Sequence, residues 1–196
     1  MNDPLFEGDD EANTPLEAEE REQLIPAYIT IRTELNEAEG VNIGEAMRWL
    51  ARRRKSVLDQ SYLEEIHKRM FGDVWRWAGS YRKTARNIGI DAYRIPTELR
   101  QVIDDAKHWI EHKTYPPDEI AMRFSHRVVQ VHPFPNGNGR FSRQVGDMLA
   151  IELGQSRFTW GQNAGLDGKA LRARYVAALK AADAHDIGPL LVFARS

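Results

Sequence analysis

Two stretches of this chain carry apolar residues at helical spacing, with one glycine-rich turn between them. Residues 118–131 place Ile120, Phe124, Val128 and Val131 on one face, and residues from about 139 to 153 do the same with Phe141, Val145, Met148 and Leu149. Between the stripes run His132-Pro133-Phe134-Pro135-Asn136-Gly137-Asn138-Gly139-Arg140, with Arg143 one helical turn further. Such a chain folds as a helix, a tight turn and a second helix, and the turn gathers an imidazole, two glycines and two arginines in one place.

The rest reads helical in pieces. From residue 21 a first piece is interrupted by Pro26, and a second runs from about Ile29 to Glu39 with Gly40 at its end. A third covers Ile43 to Arg54. Leu63, Ile66 and Met70 mark a short helix closed by Gly72. Val102, Ile103, Ala106, Trp109 and Ile110 give 97–112 one apolar face, which Pro116-Pro117-Asp118 ends. After the closing Gly154, a last helix or pair covers 167–195. Only residues 78–96 change character: Ile88, Ile90, Tyr93 and Ile95 are β-favouring, glycines punctuate them and Pro96 stops the run, which predicts a small hairpin. The expected fold is therefore mainly α with one small β-hairpin.

At 196 residues, with 42% hydrophobic residues and five Trp, one domain with a full-sized core is expected. A formal net charge of −2 does not suit a general polyanion binder. The absence of cysteine excludes disulfides and thiolate chemistry and suits a cytoplasmic location. No run approaches the ~18 apolar residues of a membrane span. Residues 1–20 are rich in Asp and Glu without Lys or Arg, and read as an acidic flexible tail before a single domain over 21–196.

The turn carries the chemistry. A helix N-terminus leaves backbone N–H groups unpaired, and with the positive end of the helix dipole these make an anion site. Gly137 and Gly139 permit a tight backbone and close approach of a ligand. Asn138 is placed to give its amide to a phosphate oxygen. Arg140 and Arg143 share a side of their helix away from its apolar stripe, free to hold a polyphosphate. His132 has the range of a base near neutrality. Asn136 lies where its side-chain oxygen reaches a metal carried by the phosphates.

The motif resembles that of the Fic family, His-x-Phe-x-Asp/Glu-Gly-Asn-Gly-Arg-x-x-Arg, and meets every fixed position but one. The likeness extends through Gly79, Arg82 and Asn87-Ile88 before the motif and Ala181-Ala182-Asp183, Asp186 and Pro189-Leu190 after it. Within the family it is most similar to the short bacterial group called mobile mystery protein B. The resemblance implies a helical Fic-type bundle that transfers AMP from ATP to a Ser, Thr or Tyr hydroxyl of a target protein. By position, His132 would deprotonate the hydroxyl. Gly137, Asn138 and Gly139 would surround the nucleotide phosphates, and Arg140 and Arg143 would hold the β- and γ-phosphates. Asn136 replaces a carboxylate that holds Mg²⁺ in the family, so it implies a weaker metal site. The hairpin, with Ile88, Gly89 and Ile90, matches the flap that docks the target as an added strand. The group's association with mobile elements suggests an antitoxin-like partner encoded nearby.

The family's inhibitory helix, Ser/Thr-x-x-x-Glu-Gly/Asn, is met by Leu35-Asn36-Glu37-Ala38-Glu39-Gly40 except at its first residue. Glu39, on a helix of about 29–40, is then the expected brake acting on Arg143, with Glu37 and Glu34 as competitors because Thr33 and Thr30 stand four residues before them.

Rival readings remain. His108, Glu111 and His112 spell the His-x-x-Glu-His of some zinc peptidases, but their helix turns both histidines away from its apolar face. Gly168-Lys169 fails the phosphate-loop pattern at both ends. Arg52-Arg53-Arg54-Lys55 is basic enough to touch nucleic acid, yet reads more simply as a solvated helix end. A last alternative keeps the nucleotide site but gives it weak transfer, another nucleotide, or a phosphoryl donor as in the relative Doc.

Overall fold

Helix follows helix from Ala18 to Arg195 in a computed structural model that describes residues 17–52 and 55–196. The helices are α1 (Ala18–Arg21), α2 (Arg32–Leu50), α3 (Gln60–Phe71), α4 (Ile95–Glu111, entered through a 3₁₀ turn at Ala92–Arg94), α5 (Pro117–Val131), α6 (Asn138–Glu152), α7 (Gly168–Asp183) and α8 (Gly188–Arg195). Helix α5 packs on α6 and α4, α2 on α3, and α8 on α7 and α5. No helix among the described residues is long and apolar enough to cross a membrane.

The α5–α6 pair is the spine. Val128, Phe124, Phe141, Val145 and Leu149 have no exposed surface. Burying each large side chain contributes about 1.5–3 kcal/mol. Gly146 lets the two helices close: a Cβ there would stand 2.8 Å from Ser125 Cβ. Ser125 Oγ donates across the seam to the Ser142 carbonyl at 2.8 Å.

Helix α2 corrects the reading of Gly40 as a helix end. It runs straight through Gly40 and Gly44. Two glycines cost such a helix about 1 kcal/mol each. The buried face formed by Leu35, Glu39, Asn42, Ala46 and Leu50 offsets that cost. Asn42 ties it to the end of α3, donating to the Arg69 carbonyl at 3.0 Å and accepting from Asp73 N–H at 3.0 Å. Pro96 likewise does not stop a segment. It sits in the first turn of α4, where no amide hydrogen is needed.

The expected hairpin is not formed. The described residues contain no strand, only an isolated bridge between Leu24 and Trp75, and residues 83–91 form an irregular loop. The reason is Arg82, which is 2% exposed. Its guanidinium donates to the carbonyls of His132 (2.7 Å), Thr84 (2.8 Å) and Ile90. The bond to Ile90 takes a carbonyl of the expected hairpin, and the bond to His132 ties the loop to the end of α5.

The tail assigned to residues 1–20 lies outside the described residues up to position 16. Its last residues are structured: Glu17 precedes α1, and both Glu17 and Glu20 pair with Arg86 of the loop. The basic run is described only at Arg52 and Lys55, since Arg53 and Arg54 lie outside the described residues.

Candidate active site

His132 ends α5 in the left-handed conformation (φ 54°, ψ 61°), which turns the chain out of the helix. A non-glycine residue holds this shape at a cost of about 1–3 kcal/mol. Its side chain is buried, at 6% exposure, beneath Gly89 of the loop. A Cβ on Gly89 (φ +92°) would meet His132 Cβ at 2.5 Å, so only glycine lets the loop lie so close. Burial first, then the charge of Arg82, pushes the imidazole down to about 4. The ring is therefore neutral at pH 7 and able to accept a proton.

The turn after it is rigid. Phe134 is fully buried. Asn138 is not turned toward a ligand. Its Oδ1 accepts from Phe134 N–H at 2.9 Å and its Nδ2 donates to the Phe134 carbonyl at 2.8 Å. That corrects its assignment as a side-chain phosphate donor; its contribution to an anion site is its backbone. Gly137 (φ +79°) precedes α6, and the first intrahelical bond is Phe141 N–H to the Gly137 carbonyl at 2.9 Å. The N–H groups ahead of Phe141 belong to the helix start that attracts anions. Gly139 is unhindered, with only Arg143 Nη1, at 3.9 Å, near the place of a Cβ.

Asn136 Oδ1 accepts from Gly137 N–H at 2.6 Å. No group of three or more His, Asp or Glu residues suited to a metal occurs among the described residues. A resident metal does not fit this donor set. A Mg²⁺ arriving with a triphosphate would find one neutral oxygen, that of Asn136, after it releases Gly137.

The two arginines part company. Arg140 lies over the Phe71 ring at 4.9 Å and pairs with Glu39 at 2.7 Å. Arg143, one turn on, lies over Tyr175 of α7 at 5.1 Å. Glu39 is 5% exposed, and its other oxygen accepts from Trp75 Nε1 at 2.8 Å. The expected pairing of Glu39 with Arg143 is thus corrected to Arg140. Helix α2 packs on α3. Trp75, just past α3, fixes the carboxylate on the side where the first turn of α6 passes. The competitors do other things: Glu34 accepts from the N–H groups of Thr30 (2.8 Å) and Ile31 (3.3 Å) at the start of α2, and Glu37 is exposed.

Ile88 is 40% exposed, and Ile90 N–H reaches the Val131 carbonyl at 3.5 Å. The loop therefore covers His132, without strand pairing. The zinc-peptidase triplet is elsewhere: His108, Glu111 and His112 are exposed at the C-terminal end of α4, with the two rings stacked at 4.1 Å.

Two participants had no role assigned from the sequence, although Arg82 lies in the stretch that carries the family likeness. Arg82 organises the loop, as described above. His67, on α3, has no exposed surface and bridges the Gly79 turn to the Asn136 carbonyl. Burial holds its pKa down at about 3, so the ring is neutral. The available signal was a histidine set among Leu63, Ile66 and Met70 on an apolar face.

A helix start with an arginine above it, closed by a carboxylate and flanked by a covered imidazole, makes a helical domain whose site is suited to an anion. Residues 57–150 match the sequence model of the Fic/DOC family, and the chain carries a domain of that family. It is 28% identical over 133 residues to the protein adenylyltransferase Fic of Drosophila grimshawi, covering 66% of this chain and 26% of that protein. It is 30% identical over 108 residues to the protein adenylyltransferase VbhT of Bartonella schoenbuchensis, covering 49% of this chain and 22% of VbhT. The chain thus spans about a quarter of the length of these relatives. Among solved structures, the BepC protein of Bartonella tribocorum with bound AMPPNP superposes with a TM-score of 0.68 at 19% identity, covering 91% of this chain and 97% of that one. Fic-1 of C. elegans superposes at 0.64 with 23% identity, covering 90% and 51%. These likenesses establish the mainly helical Fic fold.

Proposed function

We propose that this chain is a protein adenylyltransferase, moving AMP from ATP to a Ser, Thr or Tyr hydroxyl of a target protein. The observation that carries the reading is the neutral His132 imidazole at the end of α5, one rigid turn before the anion-attracting start of α6. The target oxygen attacks the α-phosphorus and its proton passes to His132. The bond to the bridging oxygen breaks and pyrophosphate leaves. Backbone N–H groups at residues 137–140, with Arg140 and Arg143, hold the phosphates by positioning and charge neutralisation. The names of relatives matched over 133 and 108 residues support this reading.

The chain carries its own brake. Glu39 neutralises Arg140 from within the same chain, and the 83–91 loop covers His132. Triphosphate binding requires Glu39 to leave. Yielding of the loop admits the hydroxyl and returns the imidazole toward its ordinary value near 6.5, which makes it a better base. Mg²⁺ comes with ATP, helped weakly by Asn136. The loop with Ile88, Gly89 and Ile90 docks the target. An antitoxin-like neighbour and a cytoplasmic setting complete the proposal. The reading with weak or different phosphate transfer draws on the neutral Asn136.

The test is incubation with labelled ATP and other nucleotides, with and without Mg²⁺, followed by mass spectrometry of the products. Glu39→Gly should raise AMP transfer or self-modification by at least about tenfold, equivalent to ~1.4 kcal/mol of barrier. His132→Ala in that background should abolish transfer while leaving ATP bound. A Glu39→Gly chain with unchanged ATP affinity and activity would remove the brake. A mass increment other than that of AMP would favour the second reading.

A further inference from the structure

We propose that His67 is the positioning residue of the anion cradle: by holding the Asn136 carbonyl it sets the orientation of the Asn136–Gly137 peptide and aims the Gly137 N–H at the phosphate. This rests on the reading that phosphates bind at the start of α6. His67 does not touch the nucleotide.

The argument begins with a polar ring that has no exposed surface. Such a group persists only when both nitrogens are satisfied. Gly79 N–H reaches Nδ1 at 3.0 Å. A backbone N–H only donates, so Nδ1 is the acceptor. The Gly79 turn is pressed onto α3: with φ +82°, a Cβ there would stand 2.8 Å from Lys68 Cβ and 3.0 Å from the Glu64 carbonyl oxygen. Only glycine lets the turn seat this closely, which brings its N–H to the ring. The ring proton therefore sits on Nε2, which donates to the Asn136 carbonyl at 3.1 Å. One tautomer satisfies both partners.

The ring cannot easily turn. It stacks on Phe134 with centroids 3.6 Å apart and planes 18° from parallel, with Phe71 at 4.8 Å and Phe141 at 5.5 Å. The chemistry then follows from peptide planarity. No peptide bond in the described residues is cis, and in a trans unit the C=O and N–H point opposite ways. With the Asn136 oxygen drawn inward to His67, the Gly137 N–H faces outward. There it meets the Asn136 side-chain oxygen at 2.6 Å. That oxygen occupies the place of a phosphate oxygen and gives way to one. A flipped peptide would leave the Asn136 carbonyl unpaired and withdraw an N–H from the cradle. Gly137 itself is pinned by Phe71, whose ring lies 2.6 Å from where a Cβ would be.

The experiment uses the full chain carrying Glu39→Gly, so that Arg140 is available, and compares His67→Gln, His67→Asn and His67→Phe. Glutamine keeps a donor near the Nε2 position. Asparagine keeps only the acceptor for Gly79, and phenylalanine keeps only the stack. ATP affinity, KM and kcat are measured beside the melting temperature. The expected result is that His67→Gln stays within about threefold of its parent in ATP affinity. His67→Asn and His67→Phe should weaken ATP binding and raise KM about 10- to 100-fold, the scale of a misplaced binding group. ATP affinity that merely tracks the melting temperature across all three would overturn the proposal.

A second readout does not need activity. Nitrogen-15 spectra should place the His67 proton on Nε2, and the Gly137 amide resonance should move in His67→Asn and His67→Phe but not in His67→Gln. A proton on Nδ1, or a Gly137 amide indifferent to every substitution, sinks the idea even if nucleotide is transferred. A parent that binds no nucleotide, with the spectral pattern intact, supports the peptide orientation and defeats the proposed function instead. If the asparagine or phenylalanine chain does not fold, the wild-type tautomer and the glutamine variant decide.

Discussion

Asn136 presents two oxygens to two different tasks. Its backbone oxygen faces His67, and its side-chain oxygen accepts from Gly137. Only the second changes chemically when the residue becomes a carboxylate. In the Glu39→Gly background, Asn136→Asp should lower the Mg²⁺ concentration for half-maximal transfer several-fold, because Mg²⁺ favours charged oxygens. A Mg²⁺ titration of the rate measures this directly, and superimposed curves would end the case for a metal contact here. At this same scale, Arg140 and Arg143 read as sharing one task, with the brake expected on Arg143. Their spacing says they share a helix side, but not that Trp75 would hold a carboxylate beside one of them and Tyr175 would lie beneath the other.

The loop over residues 83–91 is an element whose form depends on one buried side chain. Ile88 and Ile90 alternate as strand residues do, and that pattern was legible. It could not reveal a guanidinium 50 residues upstream of its partner carbonyl at His132. Arg82→Met keeps most of the volume and removes the donors. The carbonyls of His132, Thr84 and Ile90 would lose them, and unsatisfied buried groups cost about 1–3 kcal/mol each. We expect a loss of at least about 3 kcal/mol in urea unfolding and faster proteolysis within 83–91. A neighbouring exposed change, Lys83→Met, should do neither. Helix α2 teaches the same lesson in reverse. Gly40 read as a stop on local propensity, and a buried face running from Leu35 to Leu50 carried the helix past it.

Across the whole molecule, acid should unfold the chain through its buried imidazoles. His67 and His132 stand at about 3 and about 4 in the folded state, below the ordinary value near 6.5. Between those values the unfolded chain binds the additional protons. The stability linked to the neutral rings is therefore complete above about pH 6.5 and declines as pH falls, until the folded values are passed. Asp147 works the other way, because burial raises its carboxyl and the folded state then holds a proton more tightly. Two groups oppose one, so the melting temperature should fall between pH 6.5 and 4. His67→Phe should show a shallower fall than the parent. A melting temperature flat across that window would contradict the burial of both rings.

Spacing alone determined much of this protein. Apolar positions recur every three to four residues because a helix has that period, so α3, α4, α5, α6 and the α7–α8 pair were legible with modest errors at their ends. The order of histidine, glycines and arginines marked the start of α6 because backbone N–H groups go unpaired at any helix start. Tertiary structure alone decided which groups meet. Glu39 reaching Arg140, Arg82 collecting the carbonyls of a loop, and His67 facing the Asn136 oxygen all join residues from separate elements. Period and local propensity describe one segment at a time. Such pairings are set by how the segments pack and by the demand that every buried polar atom find a partner.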